Sequence, residues 1–394
     1  MSESAPHRDE RVSGRWSGLP GARRRWFGLH RVRLAVGLVV ASVLVLAGCS
    51  TTSSGSTSAA AAKKPSGGKY TIYLSNNYMG NQWRPQMEND AKVAAQLPGL
   101  ASKVNLVIQN ASGTATAQIA SLQSIIRTKP AAIMIDAASA TALNPTIQAA
   151  CSAGIIVFSF DQTVTAPCAY RLEENYSAEA HDMAYWLATE LHGHGNILED
   201  TGLSGIPISE TFLSVWNSIL KKDYPNIHVV GTFSSQYAPG PELQSISSLM
   251  SQHVTINGIL SGGYCSSDIQ ALQAAGRPLV PDTCLDVNGN EQVCQKDKVP
   301  CFFFAAPAWV SGVALKDIVG LLDGSLHLPK NQGYYNENFV SSAGNVSFNH
   351  EQQVVPLTPG ANYYPTESAS LITPVTGAGL NITAAEALNG PSGS

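Results

Sequence analysis

Short apolar segments alternate with helical patterns along this chain, and that alternation limits the available folds more than any other feature. The first cycle joins a strand-like segment at Tyr70–Ser75 to a helical pattern at Pro85–Gln96. Strands that are apolar on both faces are typical of parallel sheets covered by helices on both sides. Further strands are expected at 104–108, 131–136 and 154–160, and further helices at 116–128 and 143–153.

The alternation begins again in a second half of the chain. Helical patterns at Ala178–Leu191 and Ser209–Lys222 flank a strand-like segment at Asn196–Glu199. Further strand-like segments lie at 228–233 and 256–260, and further helical patterns at 242–252 and 267–275. We therefore predict an α/β protein with two similar lobes, each a doubly wound parallel sheet.

The first 48 residues have the features of an export signal. Eight arginines against three acidic residues give residues 1–33 a charge of +5, and an apolar run follows at Leu34–Gly48. The run is shorter than the roughly 20 apolar residues of a membrane span, and it ends in Leu46-Ala47-Gly48-Cys49, which resembles the bacterial lipobox. We expect cleavage before Cys49 and a lipid on its thiol that anchors the exported protein to the outer face of the cytoplasmic membrane. The alternative is a membrane anchor helix with an incidental Cys49.

The segment at 49–68 is rich in Ser, Thr, Ala and Gly, and we predict that it is a flexible linker. Six cysteines follow it, and an even number in an exported chain indicates disulfides. Six cysteines allow 15 pairings. Pairing of neighbours in the sequence favours Cys151–Cys168, Cys265–Cys284 and Cys294–Cys301. The sequence has no CxxC pair, so we expect no zinc site, no other metal and no cofactor.

Charge and motif content disfavour two classes of function. The net charge of −4 gives no basic footprint for nucleic-acid binding. The sequence contains no GxSxG, no GxxxxGK[ST] and no HExxH, so we expect a protein that is not an enzyme. The enzymatic alternative is a glycosidase with Asp161 and Glu210 as its pair of carboxylates.

Polar and aromatic residues follow several predicted strands. In open α/β sheets, ligands bind beyond the carboxyl ends of the strands. Asn76–Arg84 follows the first strand, Asp161-Gln162 follows the strand that ends at Phe160, and Asp286–Asn290 follows a strand near 279–285. Amides, carboxylates and aromatic rings at these positions suit a polar ligand with an apolar face.

This order of segments resembles the ribose-type, or type I, solute-binding proteins of bacterial ABC importers, from about Lys69 to near Val340. Asn81 and Trp83 match the family's Asn and sugar-stacking aromatic residue, and Arg84 stands where a second aromatic is common. Asp161 in the segment FSFDQ matches the Asp that binds sugar hydroxyls. Asn288 stands where the family often has an Asp before a Gly.

The chain also departs from the family pattern. Glu210 stands near the place where an Arg is common, Gly263-Tyr264 replaces an Asn or Asp position, and Ala306 replaces a Gln. We therefore expect a sugar or polyol other than ribose. A nucleoside or an amine is the alternative ligand, and a sensory binding protein is the alternative role.

Each candidate ligand residue also has a structural interpretation. Asn77 and Asn81 could bind hydroxyls through their amides, or could serve a turn after the strand. Trp83 and Trp309 could stack on a sugar, or could pack in the core. Arg84 could donate from its planar fork, or could lie on a helix surface.

The acidic candidates are Asp161, which could accept two hydroxyl hydrogen bonds or cap a turn, and Glu210, which could accept hydroxyls or bind an amino group. For Glu210 the alternative is a first-turn position on a helix, next to the positive end of the helix dipole.

The resemblance implies discontinuous lobes joined by a hinge of three chain crossings, near Glu174, Ala305 and Phe339. Lobe one would comprise 69–174 and 306–338, and lobe two 175–305 and 339–394. It also implies a monomer that closes around its ligand and delivers it to ABC permease subunits in the membrane.

Overall fold

The computed structural model describes residues 68–252, 254–328, 330, 333–335, 340–341, 348–349 and 357–392. The predicted signal peptide, the lipidation at Cys49 and the linker up to residue 67 lie outside these residues. Among the residues described, no helix has the length and apolar character needed to cross a bilayer.

The first half of the chain forms strands and helices in strict alternation up to its last strand. The elements are β1 (Tyr70–Asn76), α1 (Trp83–Gln96), β2 (Val104–Asn110), α2 (Ala115–Arg127), β3 (Ala132–Ile135), α3 (Asn144–Ser152), β4 (Ile156–Phe160) and β5 (Tyr170–Glu173). β3 is buried along its whole length, as expected for an inner strand with helices on both faces. The predicted strands and helices of this half are all present, and β5 is an addition.

Helix α1 begins two residues earlier than predicted. Pro85 was expected to open the helix, but α1 starts at Trp83. Proline is tolerated in the first turn of a helix because the amide it lacks has no partner there in any case. The earlier start places Trp83 and Arg84 in the first turn of α1, beyond the end of β1.

The second half repeats the pattern with two more helices. The elements are α4 (Tyr176–Glu190), β6 (Gly195–Asp200), α5 (Pro207–Lys222), β7 (Ile227–Phe233), α6 (Pro239–Leu249), β8 (Gly258–Leu260), α7 (Cys265–Ala274), β9 (Asp282–Leu285), α8 (Asn288–Asp297) and β10 (Cys301–Phe304). The remaining elements are α9 (Val310–Asp323), β11 (Gly333–Tyr335), β12 (Val340–Ser341), β13 (Phe348–Asn349) and α10 (Ala384–Asn389).

Two parallel sheets result. One has the strand order β11-β5-β4-β3-β1-β2 and the other β10-β9-β8-β6-β7, while β12 and β13 form a separate antiparallel pair. Helices α1 and α9 pack together on one face of the first sheet, and α2 and α3 lie on the other. In the second sheet, α4 and α5 pack together on one face, and α6, α7 and α8 lie on the other. The predicted α/β class with two doubly wound parallel sheets is confirmed.

The chain passes between the two sheets at two described places. It leaves the first sheet between β5 and α4, and it returns between β10 and α9, since α9 packs against α1. The third expected crossing, near Phe339, lies outside the described residues. The boundaries of the two lobes as a whole stay a prediction.

The C-terminal segment contacts both sheet units. Val287, before α8, forms a bridge with Ile372, whereas α10 packs against α1 beside the first sheet. The expected assignment of 339–394 to lobe two therefore does not extend to α10. The physical reason is that the backbone carbonyl and N–H of Ile372 form hydrogen bonds with the buried side-chain amide of Gln86 on α1. These two bonds hold the C-terminal segment beside α1.

The three disulfides are those that pairing of sequence neighbours favours. They join Cys151 to Cys168, Cys265 to Cys284, and Cys294 to Cys301. The first connects the end of α3 to the loop before β5, and the other two lie side by side in one small cluster of buried residues between α7, α8 and β10.

Removal of the first disulfide provides a test of its contribution to stability. We expect the double variant Cys151→Ser/Cys168→Ser to unfold with a free energy lower by about 3 kcal/mol, because opening a loop of this length gives the unfolded chain more freedom. The size of this loss follows from the 17-residue separation of Cys151 and Cys168. Urea unfolding without reductant measures the change. The neighbouring exposed substitution Ser152→Ala is the control, and equal stability of the double variant and this control would contradict the estimate.

Glu199 provides a second test, through pH. Burial, and then the neighbouring Asp200, raise the pKa of its carboxyl from 4.5 to about 7. Because this pKa is higher in the folded than in the unfolded chain, the folded protein holds the proton more tightly. This proton therefore stabilises the folded chain. The stabilisation is complete below pH 4.5 and is lost as the pH rises through 7. Relative to Glu199→Gln, the wild-type chain should lose up to about 3 kcal/mol of unfolding free energy between pH 4 and pH 8.

The exposed Glu190→Gln is the matched control for that comparison. Its unfolding free energy should follow the wild-type curve over the same pH range. A Glu199→Gln variant that tracks wild type equally closely would show that Glu199 does not hold its proton.

Candidate functional site

A cleft lies at the carboxyl ends of the strands of both sheets. Its empty volume is about 390 Å³, including the part open to solvent. The residues that line it are Tyr78, Asn81, Trp83, Arg84, Asp161, Gln162, Tyr176, Ile206, Ile208, Tyr237, Leu285, Phe304 and Ala306. Four of the eight expected ligand residues are among them, namely Asn81, Trp83, Arg84 and Asp161.

A buried guanidinium organises one side of the cleft. Arg84 forms an ion pair with Asp136, which follows β3, and its Nη2 lies 3.7 Å from Oδ2 of Asp161, which follows β4. Its Nη1 also donates to Oδ1 of Asn76 at 3.2 Å. Arg84 is 3% exposed, so the expected alternative of a surface helix position is wrong.

Aromatic rings enclose the same guanidinium. The Cζ atom of Arg84 lies 4.8 Å from the centre of the Tyr78 ring and 4.9 Å from that of Trp83. The indole Nε1 of Trp83 donates to the carbonyl of Ala306 at 2.5 Å. Asn81 donates to the Tyr78 hydroxyl at 3.0 Å and accepts from the backbone N–H of Arg84 at 3.2 Å. These contacts fix the two rings and the cation as one unit.

Asp161 presents its carboxylate from a left-handed backbone position. Its φ of 54° is uncommon outside glycine, although Asp tolerates it better than most residues. Strained positions of this kind are concentrated at functional sites. The Tyr176 hydroxyl donates to Oδ1 at 2.5 Å, and Gln162 Nε2 donates to the same oxygen at 3.1 Å.

Opposing effects act on the charge of Asp161. Burial raises the pKa of its carboxyl, while Arg84, Tyr176 and Gln162 favour the ionised form and oppose that rise. Burial, and then Asp161 itself, raise the pKa of the neighbouring Glu174 well above its usual range. Burial is the larger effect on Asp161, so the pKa of its carboxyl lies above its usual value, and Glu174 favours its neutral form.

The structure places the other four expected ligand residues outside the lining of the cleft. Asn77 is buried and donates to the carbonyl of Ala137 at 3.1 Å, which ties the loops after β1 and β3. Glu210 is exposed in the first turn of α5, the structural interpretation that its sequence position allowed. Glu210 is not among the residues that line the cleft, so the glycosidase alternative lacks its second carboxylate there.

Asn288 and Trp309 hold the C-terminal segment. The Asn288 amide donates to the carbonyls of Tyr364 and Ser368 at 2.8 and 3.0 Å, and its Oδ1 accepts from the Tyr364 N–H at 3.0 Å. Trp309 is fully buried at the start of α9, and its ring lies so close to Gly377 that a Cβ there would be 2.4 Å from the ring. Both side chains therefore have structural roles that depend on contacts about 70 residues away.

Sequence reasoning missed several residues of the lining. Tyr237 has a φ of 51°, and its hydroxyl lies 3.1 Å from Oγ of Ser209. Gly202 permits this approach, since a Cβ there would lie 2.8 Å from the Tyr237 hydroxyl oxygen. Tyr237 follows β7, so the carboxyl-end rule was the signal that could have found it. Ile206 and Phe304 carry no such signal, because apolar residues at these positions resemble ordinary core.

One group of three potential metal ligands occurs among the described residues. The Sγ atoms of Cys265, Cys294 and Cys301 lie within 4.8 Å of one another. All three sulfurs are already bonded in disulfides, so they offer no thiolate to a metal.

The fold and this cleft define a two-lobed solute-binding protein. A family model described as "Periplasmic binding protein domain" matches residues 72–324. The match covers more than half of the chain, and the chain therefore belongs to this family. The resemblance to type I solute-binding proteins is thereby confirmed, together with an extracytoplasmic class of protein.

Solved structures agree with this assignment. An ABC transporter solute-binding protein from Thermobispora bispora is 28% identical with a TM-score of 0.63, over 68% of this chain and 84% of that one. The arabinose-transporter binding protein of Shewanella sp. ANA-3, bound to L-arabinofuranose, is 18% identical with a TM-score of 0.60, over 68% and 89%. A solute-binding protein from Clostridium phytofermentas with bound L-rhamnose is 15% identical with a TM-score of 0.57, over 74% and 94%. No curated protein sequence matches this chain.

Removing the guanidinium tests its role in holding the site. We expect Arg84→Met to lower the free energy of unfolding by about 3–5 kcal/mol, because Asp136 would remain buried without its counter-charge. Adding Asp136→Asn should restore part of that loss. Urea unfolding of the two variants measures both effects.

The exposed Arg127→Met is the control, and we expect it to change the unfolding free energy by no more than about 0.5 kcal/mol. A double variant less stable than Arg84→Met alone would contradict the pairing of Arg84 with Asp136.

Proposed function

We propose that this chain captures a neutral carbohydrate or polyol in the cleft and delivers it to the permease of an ABC importer. The observation that carries the proposal is the Asp161 carboxylate, which is held at the cleft by Arg84 and Tyr176 beside the rings of Tyr78 and Trp83. Carboxylates accept strong hydrogen bonds from paired hydroxyls, and aromatic rings accept the apolar C–H face of a sugar. The relatives with bound L-rhamnose and L-arabinofuranose support the same ligand class.

The charge balance of the cleft argues against an anionic ligand. The positive charge of Arg84 faces two carboxylates, those of Asp136 and Asp161. A sugar acid or sugar phosphate would bring a third negative group to a buried site where one guanidinium already faces two carboxylates. An amine is the second candidate, because the same excess of carboxylate would attract an ammonium near Asp161.

The cellular context is part of the same proposal. We infer that Cys49 carries the lipid anchor, that 49–68 is the linker, and that the monomeric protein works on the outer face of the cytoplasmic membrane. Closure of the lobes around the ligand would exclude water and form the surface that a permease contacts. A binding role is favoured over catalysis because Glu210, the second carboxylate of the glycosidase alternative, is exposed and is not among the residues that line the cleft.

Ligand identification tests this function directly. We would denature the purified protein, identify the released small molecules by mass spectrometry, and titrate the compound back by calorimetry. Asp161→Asn should weaken its binding by about 10- to 100-fold, because hydrogen bonds to an ionised group would be replaced by neutral ones.

Glu210→Gln is the matched control, since it removes the same charge from an exposed site outside the cleft lining. Its affinity should equal that of the wild type. A released amine in place of a sugar or polyol would favour the second candidate. Equal affinities of Asp161→Asn and Glu210→Gln would show that the ligand is not bound at this carboxylate.

A further inference from the structure

The two sides of the cleft differ in chemistry. Hydrogen-bonding side chains follow the strands of the first sheet, and we call Asn81, Arg84, Asp161 and Gln162 the polar wall. Elements of the second sheet unit contribute Ile206, Ile208, Tyr237, Leu285 and Phe304, which we call the apolar wall, and also Tyr176, whose hydroxyl already donates to Asp161. Four of the five side chains of the apolar wall have no hydrogen-bonding group.

Two polar groups of the apolar wall, the Tyr237 hydroxyl and the backbone N–H of Ile208, already have hydrogen-bond partners. The Tyr237 hydroxyl lies 3.1 Å from Oγ of Ser209. At the start of α5, Pro207 has no N–H, and the N–H of Ile208 donates to Oε1 of Gln162 at 3.3 Å. The positive end of this helix therefore offers few free donors to a ligand.

We propose that the ligand is a carbohydrate with one apolar edge, either a deoxygenated position or an alkyl or aryl substituent, which faces the apolar wall. This inference rests on the proposed carbohydrate-binding function. The hydroxyls of the ligand would meet Asp161 and its neighbours, while its apolar edge would meet Ile208 and Phe304.

The physical argument concerns the cost of an unpaired hydroxyl. A hydroxyl pressed against the apolar wall would lose its water without gaining a partner, and this weakens binding by about fivefold to a hundredfold. A methyl group at the same place gains affinity by leaving water. A fully hydroxylated sugar would therefore bind less tightly than its counterpart lacking that hydroxyl.

Matched sugar pairs provide the test. Each pair differs in a single hydroxyl: L-rhamnose with L-mannose, L-fucose with L-galactose, and D-fucose with D-galactose. Calorimetry on the full exported chain should show the deoxy member of a bound pair binding about tenfold more tightly or better. Methyl and phenyl glycosides, titrated beside the free sugars, distinguish a substituent from a deoxygenated ring.

Variants in α5 test whether the apolar wall causes the preference for deoxy sugars. Compared with Ile208→Val, the isosteric Ile208→Thr puts a hydroxyl in place of one methyl group of the apolar wall, and it should shrink the deoxy preference by about fivefold. Val215→Thr makes a similar change on the same helix, outside the cleft lining, and should leave the preference unchanged.

Three results would overturn the inference while leaving the proposed function in place. They are equal or tighter binding of the hydroxylated members, release of a fully hydroxylated sugar from the purified protein, and a deoxy preference that Ile208→Thr does not change. A released compound with an apolar edge supports the inference even if every panel sugar fails to bind. If no carbohydrate or polyol is released and none of the panel binds, the proposed function itself is overturned.

Discussion

The buried charge of Arg84 is the interaction on which the rest of the site depends. The guanidinium follows β1, and its partners Asp136 and Asp161 follow β3 and β4, which are the next strands in the sheet. Parallel register brings the carboxyl ends of these strands to one edge, so three loops meet around one cation. Because an incomplete buried ion pair is strongly unfavourable, the group holds together only when all three loops are in place.

The aromatic contacts of Arg84 link this group to the place where the chain returns from the second sheet. Trp83 packs beside the guanidinium and donates to the carbonyl of Ala306, which lies between β10 and α9. On the other side of the cleft, Tyr176 opens α4 just after the chain leaves the first sheet, and it donates to Asp161. Side chains at both crossings thus fix the polar groups of the cleft, and a shift at either crossing would move them.

Local patterns were sufficient to predict the sheets but only part of the site. The apolar strand segments and the helical spacing indicated the two doubly wound sheets. The carboxyl-end rule indicated the segments that hold Asn81, Arg84 and Asp161, and the family resemblance singled out these residues within them. Asn288 also follows the carboxyl end of a strand, but its amide donates to carbonyls of the C-terminal segment, 76 to 80 residues further along the chain. No local pattern records such a contact. Tyr237 was missed because its position depends on two successive left-handed residues and on the absence of a side chain at Gly202.

Gln162 links the polar wall of the cleft to the apolar wall by hydrogen bonds. Its amide nitrogen donates to Asp161, and its amide oxygen accepts from the N–H of Ile208 at the start of α5. One side chain therefore orients the carboxylate and also holds the apolar wall next to it. The two bonds use opposite ends of a single planar amide, so the direction of the Asp161 carboxylate is tied to the position of α5. A ligand that displaced Ile208 would break the second bond and disturb the first, and this coupling favours ligands whose apolar edge fits against α5 without displacing it.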